Sequence, residues 1–108
     1  MTSSSRDTAR VARALGDPTR LRLVRLIARG EVSCQELTRR IGLAQATVSH
    51  HLKVLAQAGL VAARKEGSFH WYRPVPEAFA ANAAAVGRLV PMPVSKPPRL
   101  RSIDGGRR

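Results

Sequence analysis

Apolar residues recur at helical spacing along most of this 108-residue chain, and the breaks between runs fall at glycine and proline. In ARVARAL, Val11, Ala12 and Leu15 share one helical face before Gly16, Asp17 and Pro18 interrupt it. Asp17 suits the cap of a second helix, and Pro18 suits its first turn, where a missing N–H costs nothing. That helix carries a broad apolar face of Leu21, Leu23, Val24, Leu26, Ile27 and Ala28, and stops at Gly30. Ser33 and Glu36 have the spacing of a capping box, Leu37 and Ile41 repeat at i, i+4, and Gly42 ends this third helix. A fourth runs from about Ala44 to Ala58, closed by Gly59.

The period then changes. LVAARKEGSFHWYRPV alternates, Val61 with Ala63 and then Phe69 and Trp71 against His70 and Tyr72, which predicts two short strands turning at Gly67. Pro76 opens a last helix whose Phe79, Ala83, Val86 and Val90 form a narrow, seam-like stripe. Beyond it, residues 91–108 hold four of the seven prolines and five basic residues against one acidic, a composition expected to stay disordered. The expected order is therefore four helices, a hairpin and a fifth helix. The fold class is mainly α with a small β-hairpin wing, in one domain over residues 1–90 followed by a basic, proline-rich tail over 91–108. A three-residue link, Gly42 to Ala44, joins the third and fourth helices, which is the helix-turn-helix arrangement, and the basic hairpin after it reads as a wing.

Charge adds a partner to this outline. Nineteen Lys and Arg against seven Asp and Glu leave a formal charge of +12, a field that attracts a polyanion, most commonly nucleic acid. A merely solvated basic surface or an anionic membrane surface are the alternatives on charge alone. No apolar run approaches the roughly 20 residues that span a bilayer, so no membrane partner is expected. The single cysteine, Cys34, cannot form an intrachain disulfide, which fits a reducing cytoplasm. The Ser- and Arg-rich start is similar to a transit peptide, but lacks the apolar segment of a secretory signal and reads as a short frayed tail leading into a helix.

The fourth helix, which contains VSHHLKVLAQAGLV, sharpens the partner to DNA. At about 100° per residue, with Val48 at the centre of the buried face, Leu52 and Leu55 fall beside it, His50 about 200° away and His51 about 60° away. His50 therefore shares an outward face with Ala46, Lys53 and Gln57, whereas His51 sits at the core edge, where a packed, hydrogen-bonded role outweighs a functional one. Gln45, Thr47, Ser49 and His50 match the donors and acceptors of base edges in a major groove that admits one helix, and Lys53 matches phosphate. Arg64 and Lys65 beside Gly67 give the wing its charge.

The stretch ALGDPTRLRLV, then TVSHHLKVL, then AGLV before the hairpin resembles the ArsR/SmtB family of bacterial transcriptional regulators, and the resemblance covers residues 14–74. It implies a winged helix-turn-helix homodimer joined through its first and last helices, here Val11, Leu15, Phe79, Ala83, Val86 and Val90. It also implies that the dimer binds double-stranded operator DNA and leaves it when a metal or another signal arrives. Carried over residue by residue, it puts Gln45, Thr47, Ser49, His50 and Lys53 at the DNA, with Arg64 and Lys65 near the minor groove or backbone.

The departures bear on the signal. Members similar to the arsenic and cadmium sensors carry two cysteines one residue apart in a stretch like ELCVCDL. Here EVSCQEL puts Ser33 and Gln35 in those places with Cys34 between, so that soft-metal pair is absent. The last helix offers only Glu77 and Asn82 where zinc and nickel sensors of the family carry Asp and His ligands. No cofactor is required for folding. A regulatory transition metal, nickel or zinc, would need a site pooled across the dimer from His50, His51, His70, Cys34 or acidic residues. Two readings from other classes stay open: a module that binds a protein co-regulator instead of DNA, and an enzyme with Cys34 as nucleophile. Nothing near Cys34 in the sequence builds an oxyanion site, so the chain is read as no enzyme.

Overall fold

The computed structural model describes residues 5–90, so the basic tail expected over 91–108 and most of the frayed start lie outside the described residues. Five helices and a small sheet follow one another as α1 (Ser5–Leu15), α2 (Pro18–Ile27), β1 (Val32–Ser33), α3 (Cys34–Ile41), α4 (Gln45–Gln57), β2 (Val61–Glu66), β3 (Phe69–Pro74) and α5 (Pro76–Gly87). Local chemistry sets these boundaries. Asp17 caps α2 by accepting the Arg20 N–H at 3.0 Å, with Pro18 inside the first turn. Ser33 caps α3 by accepting the Glu36 N–H at 3.1 Å. The capping box is only half closed, because the Glu36 carboxylate turns to Arg39 and Arg40 instead of reaching back. Gly42 ends α3 at φ 79°, a left-handed conformation that favours glycine, and the chain swings directly into α4.

The core is a single cluster in which Leu23, Ile27, Leu37, Val48, Leu52, Leu55 and Leu60 are completely buried. It draws on α1 through α4 and the start of β2, while Tyr72, Ala78 and Phe79 pack on its edge. Helix α4 occupies the centre, with its polar positions left outside.

Sequence periodicity does not reveal β1, since two residues carry no period. Val32 and Ser33 pair antiparallel with Tyr72 and Trp71, making a three-stranded sheet in the order β1-β3-β2. Between β2 and β3 the register places Lys65 opposite His70 and Arg64 opposite Trp71, with Gly67 at φ 62° in the two-residue turn. Directly paired residues share a face. Ala63, Lys65, His70 and Tyr72 thus lie on one side of the wing, and Arg64, Glu66, Phe69 and Trp71 on the other.

The helices expected at a dimer interface are arranged differently from the stripes drawn on the sequence. Val11 is 8% exposed and belongs to the chain's own core, with Leu15 and Phe79 packed against it. Helix α5 ends at Gly87, so Val90 falls beyond it and is 74% exposed. Pro91 supplies the reason, because the residue before a proline is pushed out of the α region. What remains open on these helices is a groove of about 500 Å³ lined by Ser5, Thr8, Ala9, Ala12, Ala85, Val86, Arg88 and Leu89.

Candidate DNA-recognition face

The wing folds beside α3 and α4 so that the three enclose a hollow of about 470 Å³. Gln45, Ser49 and Lys53 line it from successive turns of α4, Gln35 from the first turn of α3, and Ser68, Phe69 and His70 from the wing. No carboxylate lines it. Cys34, Ala56, Ala63 and Tyr72 complete the lining. Cys34 is buried, with its Sγ 3.7 Å from Ser49 Oγ. Burial, and secondarily the neighbouring Cys34, raise the Tyr72 phenol above its ordinary pKa. Ala44, the cap of α4, makes no side-chain hydrogen bond, so the first N–H groups of that helix are left for an acceptor beyond it.

The structure brings Gln45, Ser49 and Lys53 into this hollow and leaves Thr47 and His50 exposed on α4 outside its lining. His51 behaves differently from its neighbour. Its side chain is 15% exposed, and Nδ1 lies 3.1 Å from Arg20 Nη1 and 4.0 Å from Asp17 Oδ2. The Arg20 N–H held by Asp17 is the first cause, ahead of His51, that keeps the Asp17 carboxyl below its usual range.

The two wing cations also part company. Lys65 is exposed on the His70 side. Arg64 is drawn to the opposite side, where Nε and Nη2 form a fork on the two Glu31 oxygens, each at 3.0 Å, and Nη1 reaches Glu66 at 3.0 Å. Its guanidinium also stands 5.7 Å over the Trp71 ring. Glu31, then Glu66, hold Arg64 above its ordinary pKa, and the Arg64 hydrogen bond in turn lowers Glu31. Glu31 lies 33 residues away in sequence, so no local reading pairs them. Sequence reasoning also misses Gln35, Ser68 and His70 as residues of this face. The available signal is position alone: the first turn of the helix before the recognition helix, and the residues that follow the wing tip.

Among the described residues, no group of three His, Cys, Asp or Glu is placed to hold a metal ion. Ser33 is committed as a cap, Cys34 faces Ser49, and His51 faces Arg20. The described residues of one chain therefore do not fit a metal centre. No described helix is long and apolar enough to cross a membrane.

A helix-turn-helix domain family matches residues 15–64, from the end of α1 into the wing. An arsenical resistance operon repressor of Staphylococcus aureus is 34% identical over 70 residues, which span 65% of this chain and 67% of that protein. The chain belongs to the ArsR/SmtB family of winged helix-turn-helix transcriptional regulators. A probable mercury resistance operon repressor of Streptomyces lividans is 48% identical over 60 residues, covering 56% of this chain but only 48% of its own length. Among solved structures, the homodimeric winged helix-turn-helix DNA-binding domain of a possible ArsR-family regulator from Mycobacterium bovis superposes with a TM-score of 0.66 at 29% identity, covering 82% of this chain and 90% of that one. The family role is regulation of transcription rather than catalysis.

Proposed function

We propose that the protein binds operator DNA in the cytoplasm as a homodimer, with α4 entering the major groove and the Lys65 side of the wing following the backbone. The single observation that carries this reading is the carboxylate-free hollow in which Gln45, Ser49 and Lys53 meet Gln35, Ser68 and His70. Amides, hydroxyls and an imidazole match base edges, and the lysines match phosphates. Arg64 enters the proposal in a lesser role than its charge suggests, because two carboxylates already hold it. The groove lined by Ala9, Ala12, Val86 and Leu89 supplies the apolar surface for a second copy. Residues 1–90 form the DNA-binding and dimerisation unit in this reading, and the basic tail over 91–108 adds affinity through phosphates.

The mercury-resistance relative motivates a signal that releases DNA. A nickel or zinc site in this reading draws its ligands from both copies.

The test is binding of the full chain to DNA from upstream of its own reading frame, against unrelated duplex of equal length, with and without zinc and nickel. Specific binding should exceed non-specific binding by about 10³-fold or more at physiological salt, with one dimer per site. Equal affinity for both duplexes would overturn the reading.

A further inference from the structure

One guanidinium links the helix of the proposed dimer face to the recognition helix. Arg20, in the first turn of α2, donates from Nε to the Ala14 carbonyl at 2.6 Å and from Nη2 to the Arg13 carbonyl at 3.2 Å. Both carbonyls belong to the last turn of α1; the Arg13 carbonyl also accepts the Gly16 N–H at 3.2 Å, while the Ala14 carbonyl is one that helix geometry leaves open at a C-terminus. The third nitrogen of the fork, Nη1, lies 3.1 Å from His51 Nδ1 in the middle of α4. A guanidinium only donates, so in this contact Nδ1 is the acceptor. Asp17 steadies the base of this joint, with Oδ2 on the Arg20 N–H at 3.0 Å and 4.0 Å from His51 Nδ1.

The surroundings give the joint a purpose beyond satisfying polar groups. On the neighbouring side, an open surface hollow of about 570 Å³ runs between the outer flanks of α1 and α4, lined by Arg10, Arg13, Ala14, Val54 and Gln57. Val11 and Ala14 pack α1 into the core that buries Val48, Leu52 and Leu55, and on the open flank beyond that contact the polar strut is the further tie between the two helices. In a symmetric dimer the angle between them decides how far apart the two recognition helices stand, and so which half-site spacing they fit.

We infer that Arg20 is a positioning residue for DNA recognition: acting through His51, it sets the angle of α4 against α1 and thereby the operator spacing the dimer accepts. The inference rests on the homodimer reading above. It predicts discrimination between spacings rather than strength of binding alone.

The experiment measures affinity of the full chain for its operator fragment and for versions with one base pair inserted or removed between half-sites, with melting temperatures recorded in parallel. The variants are Arg20→Met, His51→Leu, the double variant, and His51→Asn, which keeps an acceptor near the Nδ1 position. Arg20→Met and His51→Leu should each reduce the spacing preference by about threefold or more, and the double variant should lose no more than the worse single one. His51→Asn should retain the preference, and affinity for unrelated DNA should be unchanged throughout. A lowered melting temperature with the spacing preference intact in Arg20→Met and His51→Leu would reduce the joint to a structural role and overturn the inference. So would losses that multiply in the double variant, which would mean that Arg20 does not act through His51. Should Arg20→Met fail to fold, the contrast between His51→Leu and His51→Asn decides. A wild-type protein that is monomeric, or indifferent to spacing, overturns the dimer reading and the joint with it.

Discussion

In α4, Val48, Leu52 and Leu55 are completely buried while Gln45, Thr47, His50 and Lys53 face outward; in α5, no residue is buried although Phe79, six alanines and Val86 crowd its twelve positions. The two helices are similar in length and differ in what a single chain can do for them. The division of α4 into apolar and polar faces is completed by α1, α2, α3 and β2 around it. Helix α5 rests on the core through Ala78 and Phe79 and leaves Val86 46% and Leu89 70% exposed beside Ala9 and Ala12. The half that holds the proposed DNA face is thus structurally finished, and the other half leaves apolar surface open for the proposed second copy.

The largest effect should come from the finished half. Leu52→Ala removes a side chain with no exposure at the centre of the core, and should cost about 2–5 kcal/mol of unfolding free energy. Chemical denaturation measures it, and a loss below about 1 kcal/mol would mean that α4 is not held as the burial indicates. Val86→Glu applies the opposite probe. Its site is half exposed, so the fold of each subunit should survive, but a charge repeated across a symmetric interface repels itself and loses its water. The dimer dissociation constant should rise on the order of a hundredfold. Light scattering that showed the same dimer before and after would place the interface elsewhere than on α5.

On the outward face of α4 the effects move from stability to recognition. His50→Ala should change unfolding free energy by no more than about 0.5 kcal/mol. It should cost about 1–3 kcal/mol of operator affinity, confined to one base position. Lys53→Ala, at the rim of the hollow, should weaken all sequences alike and flatten the slope of log affinity against log salt by about 0.9. If His50→Ala instead weakened unrelated DNA equally, the imidazole would be a phosphate contact and the base-reading assignment would fail.

How much of this is legible in the sequence follows from the range of the interactions involved. The five helices and the hairpin can be read because caps, glycines and apolar spacing are local, and the angular separation of His50 from His51 follows from helix geometry alone. Strand β1 is invisible because Val32 and Ser33 become a strand only by pairing with Tyr72 and Trp71. The stripes on α1 and α5 look like a single interface because a sequence does not say which apolar residues serve the chain's own core, as Val11 and Phe79 do. The partner of His51 is Arg20, 31 positions away, and the partner of Arg64 is Glu31, 33 positions away. Pairings at that distance are settled by folding.

A change of the same size as that of Lys53→Ala, but opposite in sign, tests that last pairing. If Glu31 holds Arg64 on the outer side of the wing, Glu31→Gln should leave Arg64 with Glu66 as its remaining carboxylate partner and let it swing toward a phosphate. One additional phosphate neutralised in this way should steepen the slope of log affinity against log salt by about 0.9. The sign of the pH dependence is fixed by the same pair. The Arg64 hydrogen bond keeps the Glu31 carboxyl below its usual range. A lowered folded-state pKa contributes stability that is present above the unfolded value and is lost as pH falls through the folded one. The clamp is therefore closed at neutral pH, and wild type and Glu31→Gln should converge only in acid, once Glu31 itself is protonated. An unchanged slope at neutral pH would show that Arg64 stays on the outer side of the wing even when released, leaving Lys65 as the cation through which the wing meets DNA.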